Sequence, residues 1–223
     1  FGAVHFATAE LGNQLRTARL TTLADQIARH PDGSLPQKLK LPAALKAAYR
    51  LMDCDRVTHA AVLAPHRAWT LQQIGTHPGP LLVIHDSTEL DYTGLESLED
   101  LGQIGNGKRR GYLCQNSLVV DPLTREVVGL VNQVLYRRPK APQNETKAQG
   151  RRRKNRESRL WLMGTAGLPG DRRLVDVADQ GADTTEFLEH EFRSERRFVI
   201  RSRHDRMVLP GHGEDVAPRH LRA

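Results

Sequence analysis

The 223-residue sequence holds only two cysteines, Cys54 and Cys114, far apart and with no C-x-x-C pair beside either. That excludes a disulfide framework and a thiolate zinc site, and it leads us to expect a reducing, cytoplasmic compartment. Long apolar runs are missing too, since no stretch approaches the roughly 20 residues of a membrane span. No bilayer crossing is expected. Neither a starting methionine nor a basic-then-apolar leader precedes Phe1, so the start is expected to be trimmed. Internal repeats are absent, and the only biased tract is basic. What remains is 39% hydrophobic and 26% charged, the composition of a globular chain long enough for one large domain or two modest ones.

The net charge of +7 is unevenly distributed. Residues 137–159 carry ten Lys/Arg against two Glu, a surplus of eight, and the remaining 200 residues sum to −1. An anionic partner is implied, and Arg151, Arg152, Arg153 and Lys154 stand at the centre of the run as candidate phosphate contacts.

From Glu10 to about Thr76, apolar residues recur at helical spacing: Leu20, Leu23, Ala24 and Ile27, then Leu41, Ala44, Leu45, Ala48 and Met52. The turn formers from His30 to Pro36, and a second break from Asp53 to Thr58, divide this region into three or four expected helices. At His77-Pro78-Gly79-Pro80 the pattern changes, and Leu81 to Asp86 is a short apolar run closing on an acid. Tyr112–Val120 and Glu126–Tyr136 flank Asp121-Pro122-Leu123-Thr124-Arg125 as a hairpin of two long strands. Lys140–Met163 is expected to form a surface helix with 151–156 as an alternative loop. Arg173–Asp179 is a strand again closing on an acid. Asp183–Phe192 is a helix with Asp183 as its cap, and Arg197–Arg201 is a last strand.

Asp86 and Asp179 thus each follow an apolar strand, where open α/β sheets tend to place ligand sites. Paired carboxylates suit Mg²⁺, which prefers hard oxygen ligands, although an Asp after a strand is also a common turn former. If the pair is catalytic, the two acids should stand at adjacent strand ends. The scattered histidines, His190 and His204 included, lack a second ligand at zinc spacing. Ser87 lacks the G-x-S-x-G turn of a hydrolase nucleophile. The glycines from Gly102 to Gly107 precede no helix, unlike those of a phosphate loop.

Leu11–Leu20, Ala48-Tyr49-Arg50, Ile84-His85-Asp86-Ser87-Thr88, Leu101-Gly102 through Arg110-Gly111-Tyr112, and Arg197 through His204 together resemble the bacterial cut-and-paste DDE transposases. The likeness is to the Tn-five-like branch of the insertion-sequence-four family, and it runs along the chain in that family's order. It implies an α/β protein, with an all-helical DNA-binding domain over 1–76 ahead of an incomplete ribonuclease-H-like mixed sheet with flanking helices over 77–223. It implies Asp86 and Asp179 as two of three catalytic carboxylates around Mg²⁺ or Mn²⁺. It implies double-stranded transposon ends as the partner, held by Arg16, Arg19 and Arg50, with Arg201 and Arg203 meeting DNA near the acids and Arg110, in the motif before Gly111-Tyr112, as a further DNA-binding candidate. A homodimer is implied for a full-length protein.

The departures are specific. Gln180-Gly181 stand where an Arg-Glu pair often follows the second aspartate, and Gln115 stands where a His is often found. The family's third carboxylate lies beyond the last strand, and the sequence ends at Ala223 before any such motif. Glu186, Glu189, Glu191 and Glu195 lie on or beside the helix before the last strand, the wrong element, and Glu214 and Asp215 follow a Gly-His-Gly tail. The expectation is metal-dependent strand cleavage and transfer as the parent activity, in a piece that lacks its third carboxylate. The alternative is a DNA-binding remnant without catalysis.

Overall fold

The computed structural model describes residues 1–140, 142–208 and 219–220. Two compact units divide the chain, one of residues 1–78 with 127–132, the other of 79–126 with 133–223.

The first unit holds five helices: α1 (Gly2–Phe6), α2 (Gln14–Arg29), α3 (Leu35–Leu39), α4 (Pro42–Met52) and α5 (His59–Thr76). α1 lies ahead of the expected helical region, and α3 occupies part of the expected turn. Local chemistry sets the starts. Asn13 caps α2 by accepting the Arg16 amide at 2.9 Å, Thr58 caps α5 by accepting the Ala61 amide at 3.1 Å, and Pro42 opens α4, where a missing N–H costs nothing. Leu11, Leu20, Leu23, Leu39, Ala48 and Leu51 close the core between these helices. Their spacing on α2 and α4 is the apolar stripe visible in the sequence.

The second unit is a mixed sheet with helices. The sheet's strands are β1 (Leu81–Asp91), β2 (Gly102–Gln103), β3 (Arg110–Val120), β4 (Val127–Tyr136), β5 (Leu174–Ala178) and β6 (Arg197–Ile200), in the order β2-β3-β1-β5-β6 with β4 also paired to β3; residues 127–132 of β4 are counted with the first unit. β1 and β3 are antiparallel, whereas β5 runs parallel to β1 and β6 parallel to β5. This α/β arrangement is consistent with a partial ribonuclease-H-like domain. A separate two-residue pair joins β7 (Met207–Val208) to β8 (Arg219–His220).

Three expectations are corrected. β1 continues five residues past Asp86 because β3 keeps pairing with it, out to Asp91 opposite Gly111. The basic stretch forms no single helix: extended backbone at Arg153 and Arg156 separates α6 (Lys147–Arg152) from a 3₁₀ turn (Glu157–Arg159) that runs directly into α7 (Leu160–Gly164). Both arginines reach acids from those positions, Glu145 at 2.9 Å from Arg153 and Glu186 from Arg156. Finally, α8 (Thr185–Arg193) is capped by Thr184, which accepts the Phe187 amide, while Asp183 turns away to accept the amides of Arg203 and His204 at 2.6 and 2.9 Å.

Candidate functional site

In the helical unit, a groove of about 450 Å³ is lined by Arg16 and Arg19 of α2 and Lys46 and Arg50 of α4, with no acid among its lining residues. Helical periodicity explains the grouping, since residues three or four apart share a face. Arg16 is half-buried and donates to the Leu11 carbonyl at 3.0 Å, so its guanidinium also fixes the turn ahead of α2. Arg19, Lys46 and Arg50 are exposed. Lys46 was missed in the sequence, though its i,i+4 spacing to Arg50 was the available signal. Four cations facing one recess repel one another unless an anion sits among them.

In the sheet unit, β1 and β5 are neighbours, and their parallel register pairs His85 with Ala178. The β5–β6 register pairs Ala178 with Ile200, and the Arg201 amide continues that ladder by donating to the Ala178 carbonyl at 3.1 Å. One position further along each strand stand Asp86, Asp179 and Arg201, a row across three adjacent strands spaced about 4.8 Å apart. Side chains alternate along a strand, so this row shares the sheet face of Ile84, Val177 and Val199, opposite to His85 and Ala178. All three row residues are exposed. The Asp86 carboxylate makes no hydrogen bond or ion pair among the described residues, while one Asp179 oxygen accepts the Gly181 amide at 2.8 Å.

Beneath the row, on the covered face, lies a buried ionic cluster that sequence reasoning did not find. His85 Nε2 is 2.7 Å from Asp176 Oδ1, His85 Nδ1 is 2.8 Å from Ser117 Oγ, and Ser117 Oγ donates to the Gly164 carbonyl at 3.0 Å. Arg196 Nε donates to the other Asp176 oxygen at 2.6 Å, and its NH2 approaches Glu191 Oε1 at 3.5 Å. Each of these residues is buried. Burial raises the Asp176 pKa, but His85 and Arg196 outweigh it and hold the carboxyl below its usual range. Glu191 goes the other way, pushed up to about 8 by burial and then by the neighbouring Asp176 charge. α7 approaches this cluster closely at Gly164, where a Cβ would come within 2.9 Å of Ser117 Oγ. An aspartate inside the otherwise apolar Leu174-Val175-Asp176-Val177-Ala178 was the signal for it.

The remaining candidates are dispersed. Glu186 is paired with Arg156 and Arg159, Glu189 lies 3.8 Å from Arg193, and Glu191 is in the buried cluster on the covered face. Glu214 and Asp215 lie outside the described residues. Among the described residues, no group of three or more His, Cys, Asp or Glu is arranged to hold a metal. Arg110 donates to the Glu99 carbonyl at 3.4 Å, and Arg203 is exposed with its amide on Asp183. In the basic run, Arg137 pairs with Asp100, Arg138 with Glu157, Arg153 with Glu145, and Arg156 and Arg159 with Glu186. Arg152 and Lys154 are exposed without such partners among the described residues, and the Arg151 side chain lies outside those described.

A family model described as transposase DNA-binding matches residues 3–57. The match points to a transposase. It spans α1 to α4 and includes Arg16, Arg19, Lys46 and Arg50, so the four-cation groove lies within the stretch that resembles transposase DNA-binding domains. No helix among the described residues is long and apolar enough to cross a membrane.

Proposed function

We propose that this chain serves DNA transposition of the cut-and-paste DDE type, with the helical unit gripping transposon-end duplex and the sheet unit presenting Asp86 and Asp179 to a divalent metal. The transposase DNA-binding match over the helices that line the four-cation groove carries the reading. Assignment to the Tn-five-like branch rests on the ordered motifs of the sequence.

The donor chemistry fits a hard cation. Asp86 has both carboxylate oxygens uncommitted and Asp179 has one, on one open sheet face. Mg²⁺ or Mn²⁺ held there would supply a polarised water and charge stabilisation at a phosphodiester. The chain's own part is to fix that geometry. Parallel pairing of β1 with β5 sets the spacing of the two carboxylates, and the His85–Asp176–Arg196 hydrogen bonds tie β1, β5 and the start of β6 together from below. Arg201, level with both acids, is the side chain placed to neutralise a non-bridging phosphate oxygen.

Two carboxylates leave one protein ligand short, so the chain of 223 residues binds metal weakly and does not cleave DNA. Calorimetric titration with Mn²⁺ should show weak binding that Asp86→Ala or Asp179→Ala abolishes. Cleavage of transposon-end DNA by the unmodified chain, but not by the double variant, would overturn the claim that the third carboxylate is missing. A second reading is a DNA-binding module without metal, supported by the transposase DNA-binding match over residues 3–57 alone. Duplex binding with no Mn²⁺ binding that depends on either aspartate would favour it over the first.

A further inference from the structure

The sheet unit contains a second groove that the reading above does not use. It has a volume of about 770 Å³ and is lined by Lys108, Arg109 and Arg110 on one side and Arg138, Lys140 and Arg153 on the other. Six cations and no acid line it. Acids beyond its walls neutralise three of them: Glu89 holds Arg109 at 2.6 Å, Glu157 holds Arg138 at 2.5 Å, and Glu145 holds Arg153 at 2.9 Å. Lys108 and Lys140 are exposed with no side-chain partner among the described residues, and Arg110 spends one N–H on a backbone carbonyl. A surplus of about three positive charges therefore faces the recess.

Its floor is a close backbone contact. A Cβ on Gly102 would come within 2.7 Å of the Arg138 nitrogen and 2.9 Å of its oxygen, so only glycine lets β2 lie against the segment leading out of β4. The glycine-rich stretch from Gly102 to Gly107, which lacks the helix of a phosphate loop, builds this recess instead.

We infer that this groove is a sequence-independent seat for the phosphate backbone of duplex DNA, a second contact separate from the helical unit's groove. Its lining offers charge for phosphates and little for bases. Gln103 is the one amide side chain among the lining residues, and it commits one N–H to the Gly107 carbonyl at 3.0 Å, which ties it to the glycine turn. No aromatic side chain lines the groove, which removes the stacking platform by which unpaired strands are held. The inference rests on DNA as the partner and needs neither metal nor strand cleavage.

The test is binding of the 223-residue chain to a random-sequence 20-base-pair duplex across a salt series without divalent metal. Replacing Lys108 and Lys140 together by Ala removes two phosphate contacts, so the slope of log affinity against log salt should fall by about 1.8, with affinity roughly tenfold weaker. The Lys108→Arg, Lys140→Arg variant should keep the slope, because charge rather than shape is read. Both positions are exposed, so folding should be unaffected, and thermal melting of each variant verifies it. An unchanged slope in the double Ala variant, alongside a reduced one in Arg19→Ala with Arg50→Ala, overturns this groove and leaves the helical-unit reading standing. Absence of duplex binding altogether overturns both. Tighter binding of a single strand of equal length overturns the choice of duplex.

Discussion

The two compact units treat charge in opposite ways. In the helical unit, Arg19, Lys46 and Arg50 stand exposed beside half-buried Arg16 in one groove with no acid lining it. In the sheet unit, which holds the longest basic run, most arginines of that run meet a carboxylate, and a further arginine is paired inside the fold with Asp176. The richer stretch of charge is therefore the more heavily neutralised one. Charge counted along a sequence measures what a chain carries, whereas a phosphate meets only what ion pairs have left uncommitted. The groove around Lys108 and Lys140 is where the sheet unit departs from its own rule.

The contrast can be broken at its extremes first. Asp176→Ala leaves the buried Arg196 without the carboxylate its Nε donates to and His85 Nε2 without its partner, and should cost about 3–5 kcal/mol in urea unfolding. A loss below about 1 kcal/mol would mean the cluster is far wetter than its burial indicates. Replacing Arg19, Lys46 and Arg50 together by Ala should lower the salt slope of duplex binding by about 2.7 with little change in stability. Within the basic run, Arg152→Ala with Lys154→Ala should reduce that slope by about 1.8, and Arg138→Ala with Arg153→Ala by less than half as much. Equal effects from the two pairs would show that ion pairing in the run does not limit its hold on DNA.

The same cluster should also set a pH dependence. Glu191 holds its proton up to about pH 8 in the folded chain, whereas an unfolded carboxyl releases it near 4.5. Between those values the folded state binds the extra proton, so this group makes stability fall as pH rises through the window, and its contribution levels off above about 8. Asp176 acts in the opposite sense, its depressed pKa giving stability that is present above the ordinary carboxylate range and lost on acidification. Glu191→Gln should flatten the decline between pH 5 and pH 8 in urea midpoints. A decline that persists in the variant would assign it to other groups.

Much of the element pattern was legible because its causes are local. The apolar stripes of α2 and α4 follow from a period of 3.6, and the runs that became β1, β3, β4 and β5 follow from apolar residues bounded by turn formers. The resemblance marks Arg16, Arg19 and Arg50 as DNA contacts; Lys46 shares a helix face with Arg50 by its i,i+4 spacing, and the packing of α2 beside α4 puts all four cations in one groove. The end of β1 was misjudged at Asp86 because an acid reads as a stop, whereas pairing with β3 carries the strand to Asp91.

By itself, the sequence determined the amphipathic stripes of α2 and α4, the β3–β4 hairpin, the total charge, and the two aspartates that follow apolar runs, since each depends on side chains only a few residues apart. The tertiary structure alone decided that Asp86 and Asp179, more than 90 residues apart in the chain, stand level with Arg201, because only the β1–β5–β6 register brings them together. It also decided that Asp176 turns inward to His85 and Arg196 while Asp179 turns out. In a strand of period two, the facing of each residue is set by which side of the sheet the helices cover.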